Sequence, residues 1–326
     1  MLILSSLITI IDPTGNFSID IPIINIEIDK SRKTLTNTAK IEMPRNIKVR
    51  KLTGPNFSFA QTDINSVIQR GASVTIQIGY DGNLLTEFTG FVAQVSADIP
   101  VVIKCQDSMW ILKQNSFTHT WPKGVKVAEI ISYIYTGKTQ VVDLSIGGMV
   151  IVKQSTAQVL EGLKKFGLQC YFDNDVLIVD FAGVVHSQGN EVIYDFYQNI
   201  IDNDLEYKQK EDSLIKVVGV SKLSNGKKIQ IVAGDNEGEI HTLHYSNMDQ
   251  DQLQKIVSAE IGKLKYEGYT GTFRTFGLPL INPGDKAYLQ DGKYPEHDGV
   301  YLAESVKTIF GVRGFRREIT LERKLS

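Results

Sequence analysis

Two hairpins far apart in the chain are written in one pattern, and that pattern constrains the fold more than any other feature. The first is "GASVTIQIGYDG" (71–82), which resumes at Gly90 with another apolar strand. The second is "GDKAYLQDG" (284–292), which resumes at Gly299. With Gly284 set against Gly71, Val74 meets Ala287, Ile76 meets Leu289 and Gln77 meets Gln290. Both strands run into Asp-Gly once a gap of three residues is allowed. Alternation of period two marks strands with one buried face, and Asp-Gly is a strong hairpin signal. The closing segments "VVIKCQ" and "REITLE" extend the parallel. The repeat predicts a duplicated β-domain with different material between the copies. The plainer alternative is two unrelated hairpins that share common turn residues.

The rest of the chain fits that frame. At 326 residues it has room for two or three domains, and 42% hydrophobic residues suffice for packed cores. Residues 1–113 read as strands almost throughout. "MLILSSLITIID" lacks a basic n-region and a cleavage site and is too short to cross a membrane, so it reads as a first strand ending at Asp12-Pro13-Thr14-Gly15. The phase of "FSIDIPIINIEIDK" slips at Ile23-Ile24 after Pro22, which predicts a bulge. "KLTGPNFSFAQTD" reads as a long loop, and Asp63 as the cap of a short helix through Ile68. Residues 114–205 change character to a small α/β module. Val127, Ile130, Ile131 and Ile134 form one helix face, and Ser155 and Gly167 bracket a second helix. A hairpin at Asp173-Asn174 follows. Residues 206–326 return to strands, with a type I′ turn predicted at Asn225-Gly226 and one helix from about Asp249 to Tyr266. The predicted class is mainly β with an α+β insert: two β-domains flanking the small α/β module.

Little in the sequence speaks for chemistry. A net charge of −2 gives no basic footprint for nucleic acid. Cys105 and Cys170 form neither a disulfide framework nor a CxxC site and are expected to be buried free thiols, which fits folding in a reducing compartment. Gly137-Lys138-Thr139 lacks the glycine and the preceding strand that a P-loop needs. His241 and His244 lie three apart on a predicted strand and so face opposite ways; His119, His186 and His297 have no ligand pattern beside them. Asp249/Asp251 and Asp173/Asp175 sit at a helix start and a turn, where Asp has local work. No cofactor or metal is expected, and the chain is not expected to be an enzyme. "YDFYQ" (194–198) is the one aromatic candidate for a carbohydrate-binding surface, though its alternation suits burial.

One face of the first hairpin is unusual. Ser73, Thr75 and Gln77 are polar, uncharged and short, where solvent-facing strands commonly carry Lys, Glu or Arg. Lys286, Tyr288 and Gln290 hold the corresponding face of the second. The C-terminal stretch is locally basic through Arg313, Arg316 and Arg317; on a strand the last two face opposite ways, one towards a partner and one towards solvent.

The phrase G-x-x-V-x-I-x-I-G-Y-x-G…F-x-G-x-V at 71–92, "CQDSMWILKQ" at 105–114 and "FGVRGFRREITLERKL" at 310–325 resemble the phage tail baseplate hub family, the late-control protein D family, related to the hub portion of type VI secretion spikes. The resemblance covers most of the chain in order and implies two tube-like β-barrel domains, 1–113 and 206–326, flanking the α/β module 114–205. It implies a homotrimeric ring with pseudo-sixfold symmetry in the virion's tail baseplate, assembled in the bacterial host cytoplasm. Implied partners are a tail tube or distal tail protein, a central spike protein, and DNA or a tape-measure protein passing through without specific binding. The six polar hairpin residues are then expected to line the channel or a subunit interface, and the basic residues to face a partner. Nothing after Leu325 resembles a spike or lysozyme domain, so the spike is expected to be a separate protein, with no membrane insertion by this chain. The hub of a phage-derived contractile injection or type VI-like system and a tail-associated β-rich carbohydrate-binding module are the alternatives.

Overall fold

The computed structural model describes residues 2–12, 15–19, 23–44, 46–51, 59–63, 68–173, 176–181, 190–211, 214–223 and 225–325. The first region holds β1 (Leu4–Asp12), β2 (Gly15–Ile19), β3 (Asn25–Ser31), β4 (Thr38–Met43), β5 (Asn46–Lys51), β6 (Phe59–Asp63), β7 (Ser73–Tyr80), β8 (Asn83–Val95) and β9 (Val101–Gln106). The middle holds α1 (Met109–Leu112), β10 (Phe117–Trp121), β11 (Val125–Lys126), α2 (Val127–Ile134), β12 (Thr139–Val141), β13 (Ser145–Ile146), β14 (Met149–Gln154), α3 (Thr156–Leu163), β15 (Leu168–Asp173) and β16 (Val176–Phe181). The last region holds β17 (Glu191–Asp195), β18 (Ile200–Lys208), β19 (Ile215–Lys222), β20 (Lys228–Gly234), β21 (Glu239–Ser246), α4 (Gln250–Leu264), β22 (Gly268–Phe276), β23 (Lys286–Gln290), β24 (Gly299–Gly311) and β25 (Gly314–Lys324).

The mainly β class holds. One 15-stranded sheet runs through both ends of the chain, and no pairing among the described residues closes either end into a barrel. Within that sheet the two ends match strand for strand. The order β3-β4-β9-β8-β7-β1 in the first unit answers to β18-β22-β25-β24-β23-β17 in the second. The backbone repeats in detail. Gly71 N–H donates to Val92 O and Val92 N–H to Ala72 O; Gly284 N–H donates to Ala303 O and Ala303 N–H to Asp285 O. Gly71 and Gly284 are left-handed, at φ 89° and 98°. Both long strands slip register at the same place, between Val92 and Gln94 and between Ala303 and Ser305. One pairing differs: β1 runs antiparallel to β7, whereas β17 runs parallel to β23. Unit two also carries the segment β19–α4 between its second and third strands.

The units are sewn together by β24 and β3, paired from Ser305 opposite Ser31 to Gly311 opposite Asn25. Phe310 and Phe315 bury their rings in the core of unit one with Ile26, Ile28 and Ile76. A second core, around Tyr194, Phe273, Leu289 and Ile319, fills unit two. The third and largest joins the middle module to the inserted segment: Ile130, Leu160 and Leu168 pack with Ile215, Val217, Leu253 and Val257.

The helices follow their sequence signals. Val127, Ile130, Ile131 and Ile134 are the buried face of α2. Ser155 caps α3 in a capping box with Gln158, and Gly167 is left-handed at the stop. Asp249 and Gln252 repeat the box at α4. Asp81-Gly82 makes the expected type I′ turn, with φ of 52° and 80°. Asn225-Gly226 does not. Leu223 N–H donates to Lys227 O, Gly226 N–H returns to Leu223 O, and Gly226 has φ 81°. That is a three-residue loop closed by a glycine bulge. The predicted loop at 51–63 is also revised, since Phe59–Asp63 is a strand paired to β5. Asp12 stands opposite Gly15 and Asp173 opposite Val176. Pro13, Thr14, Asn174, the Pro22 bend, His186 and residues 64–67 of the helix predicted after Asp63 lie outside the described residues.

Candidate assembly face and interunit junction

Ser73, Thr75 and Gln77 stand opposite in sense to the buried Val74, Ile76 and Ile78, and all three are half-buried. Thr75 lies between Thr9 and Thr89 on the flanking strands, and Gln77 Nε2 donates to Thr86 Oγ1 at 3.3 Å. Lys286, Tyr288 and Gln290 are half-buried on β23, the equivalent strand, with Ile193 and Val300 beside Tyr288. The neutral patch of unit one passes, on the same sheet face, into a charged ladder that no single strand reveals. Lys104 faces Lys40, Lys40 faces Glu27, Lys307 faces Glu318, and Glu318 faces Arg274. Lys307 approaches Glu27 at 3.8 Å, Arg274 pairs with Glu318 at 2.9 Å and with Asp202 at 3.0 Å, and Lys40 pairs with Glu42. Exposed pairs of this kind contribute about 0–1 kcal/mol each. Their consequence is a face on which Lys40, Lys307 and Arg274 each have an acidic partner, while Lys104 faces Lys40.

The three arginines part company. Arg313 is exposed at the β24–β25 tip. Arg316 lies over the Phe276 ring at 4.9 Å. Arg317 corrects the expectation of a partner-facing cation, being 1% exposed. It donates to Glu87 of unit one at 3.0 Å, to Thr308 Oγ1 at 2.9 Å and to the Gly277 carbonyl at 2.7 Å. Glu87 is itself fully buried, so neither charge can be removed alone without stranding the other, at a cost of roughly 3–5 kcal/mol.

A second buried cluster ties all three regions. Arg32, just after β3, sits 3.5 Å from Glu322 of β25 and 5.4 Å from the Tyr171 ring of the module. Nearby is a cavity of about 410 Å³ lined by Lys30, Glu87, Asp107, Tyr171, Asp173 and Asn282. Lys30 Nζ donates to Asn282 Oδ1 at 2.9 Å, and burial lowers its pKa. Asp107 accepts the backbone N–H groups of Asn37 and Met109, yet burial dominates and pushes its carboxyl up to about 6. Asp285 accepts from Asn190 and Asn282 and is likewise raised by burial.

Among the described residues no three His, Cys, Asp or Glu converge on a metal position. His241 and His244 alternate on β21 as expected. Cys105 and Cys170 are buried thiols, each raised by burial to about 12. No described helix is long and apolar enough to cross a membrane. In "YDFYQ", Tyr194 is buried and Tyr197 exposed, because the strand ends at Asp195, whose carboxylate accepts the Tyr197 N–H.

No protein family profile and no curated protein matches the chain by sequence. Solved structures do match its fold. A tail protein from Neisseria meningitidis aligns with a TM-score of 0.61 at 15% identity, over 99% of this chain and 97% of its own. The 43 kDa tail protein of prophage MuSo2 from Shewanella oneidensis aligns at 0.58 and 16% identity, over 98% of both chains. An E. coli component of the type VI secretion system, described as structurally similar to T4 bacteriophage tail proteins gp27 and gp5, aligns at 0.59 and 9% identity, over 97% of this chain and 76% of its own. The chain has the fold of phage tail proteins.

Proposed function

We propose that the chain is the structural hub of a phage-type tail baseplate. Three copies form a ring of six similar β units that joins the tail tube to a central spike and leaves a channel for DNA or a tape-measure protein. One observation carries this reading. Two units with the same strand order and the same bulge lie side by side in a single sheet, joined through β24 and β3. A duplicated chain is what a threefold assembly needs to present near-sixfold surfaces. The fold shared with phage tail proteins supports the setting, and the likeness to a type VI component supports a role beside a spike. The role is structural, in the virion tail, with assembly in the host cytoplasm.

Residues 1–113 and 206–326 supply the ring, with the module 114–205 beside it. Ser73, Thr75 and Gln77, with Lys286, Tyr288 and Gln290, belong to the channel wall or to the contact between subunits. The charged ladder suits a wall of this kind, because paired cations do not collect phosphates. An injection machine of the type VI class is the second reading, favoured by the E. coli neighbour.

The test is solution mass by light scattering over a dilution series. A stable trimer is the expected result, with an interface on the order of 2,000 Å² or more. A persistent monomer in the presence of its tube and spike proteins overturns the reading.

A further inference from the structure

The contact that joins the two units inside one chain is left open at both ends of the molecule. β3 takes residues 305–311 of β24 on its free edge. Its counterpart, β18, pairs with β22 on one edge, and among the described residues its other edge has no strand. The counterpart of 305–311 in unit one starts at Gln94, just past the shared bulge. β7 leaves β8 at Phe91, so among the described residues the same edge of Gln94–Ser96 has no strand either. A nine-residue free edge invites pairing unless something covers it.

The side chains point the same way. Ile99, at the β8–β9 tip, is 75% exposed. Counted from the bulge, it falls level with Phe310 on the outgoing strand and with Phe315 on the returning one. Both phenylalanines are the apolar knobs that unit two buries in unit one. Next to the bare edge of β18, Ile201 is 40% exposed, and on β17 Ile193 is 54% exposed.

We infer that β18 of one copy pairs antiparallel with the segment from Gln94 of a second copy, and that Ile99 of the second copy seats against unit two of the first. The inference rests on the ring reading and names its contact. The register transfers from the internal junction. Ser31 opposite Ser305 becomes Lys208 opposite Gln94, and Asp29 opposite Lys307 becomes Glu206 opposite Ser96. Asp98 falls opposite Asp204, so the ladder ends before the tip and Ile99 makes a side-chain contact alone.

The test uses the full chain. Gln94→Cys with Lys208→Cys places thiols directly opposite; Gln94→Cys with Asn203→Cys is the out-of-register control. The native thiols are buried and do not compete. After oxidation, non-reducing gels are expected to show covalent species up to trimer for the first pair and none for the control. Ile99→Asp is expected to weaken trimer formation by at least about tenfold in light scattering, as loss of a buried anchor does. A trimer in which neither pair links, in which the control links equally, or which Ile99→Asp leaves intact, overturns the strand assignment while the ring stands. Absence of any trimer overturns both.

Discussion

Unit one and unit two share a backbone grammar and differ in nearly every side chain that fills it. Gly71 and Gly284 hold the same left-handed position and start the same pair of hydrogen bonds. Yet Val74 answers to Ala287 and Thr75 to Tyr288, and the place that Arg317 takes in unit two falls on Val101 in unit one. Strand order, glycine turns and the bulge are what the two units keep, and they fix where edges meet. The side chains adapt to different neighbours. Unit two drives Phe310 and Phe315 into unit one, while unit one leaves the shorter tip with Ile99 exposed.

The largest test of that asymmetry is the buried pair that only one junction has. Arg317→Met should destabilise the chain by about 3–5 kcal/mol in urea unfolding, and combining it with Glu87→Leu should recover much of the loss. A small effect of the single change would mean that the units hold together without it. Asp107 probes the side of unit one that meets the module. Its carboxyl is raised in the folded state to about 6, so the native protein binds that proton more tightly than the unfolded chain. Its contribution is fully present below about pH 4 and is lost as pH rises through about 6. Relative to Asp107→Asn, the wild type should therefore gain on the order of 2–3 kcal/mol on acidification from pH 7 to 4.

Matched glycine changes sharpen the comparison. Gly71→Ala should cost about 2 kcal/mol, since a Cβ there meets Trp110 at 3.1 Å as well as a φ of 89°. Gly284→Ala, whose nearest neighbour is Arg32 Cδ at 3.6 Å, should cost about 1 kcal/mol. Equal costs would show that the Trp110 ring yields freely. The smallest contrast lies in the turns. Asp81→Ala, at φ 52°, should cost about 1 kcal/mol, and Asn225→Ala, which removes the acceptor of the Lys227 N–H at 3.0 Å, about 0.5–1 kcal/mol, read as shifts in thermal midpoint.

These contrasts also show what the sequence could carry. Period-two alternation, the caps at Ser155 and Asp249 and the repeat of Gly71 in Gly284 were legible, because each depends on residues close together in the chain. The turn at Asn225-Gly226 was misread because dipeptide identity does not fix loop length; the pairing of Leu223 with Lys227 does. The Glu87–Arg317 pair and the ladder from Lys104 to Asp202 were illegible, since their members come from strands that only the sheet order makes adjacent. Arg317 looked like a surface cation for that reason. The same limit hid the attachment of β19–α4 to the module core: the helix from Asp249 was evident, but not which face would receive it.

The central claim is that three copies arrange six similar units around a channel, and averaged electron-microscope images of the purified assembly, viewed down its axis, test it most directly. The account predicts a ring with three identical sectors, each of two near-equal lobes, around an open centre. Single two-lobed particles in the presence of the tube and spike proteins, or a closed assembly of any other number of copies, would contradict it.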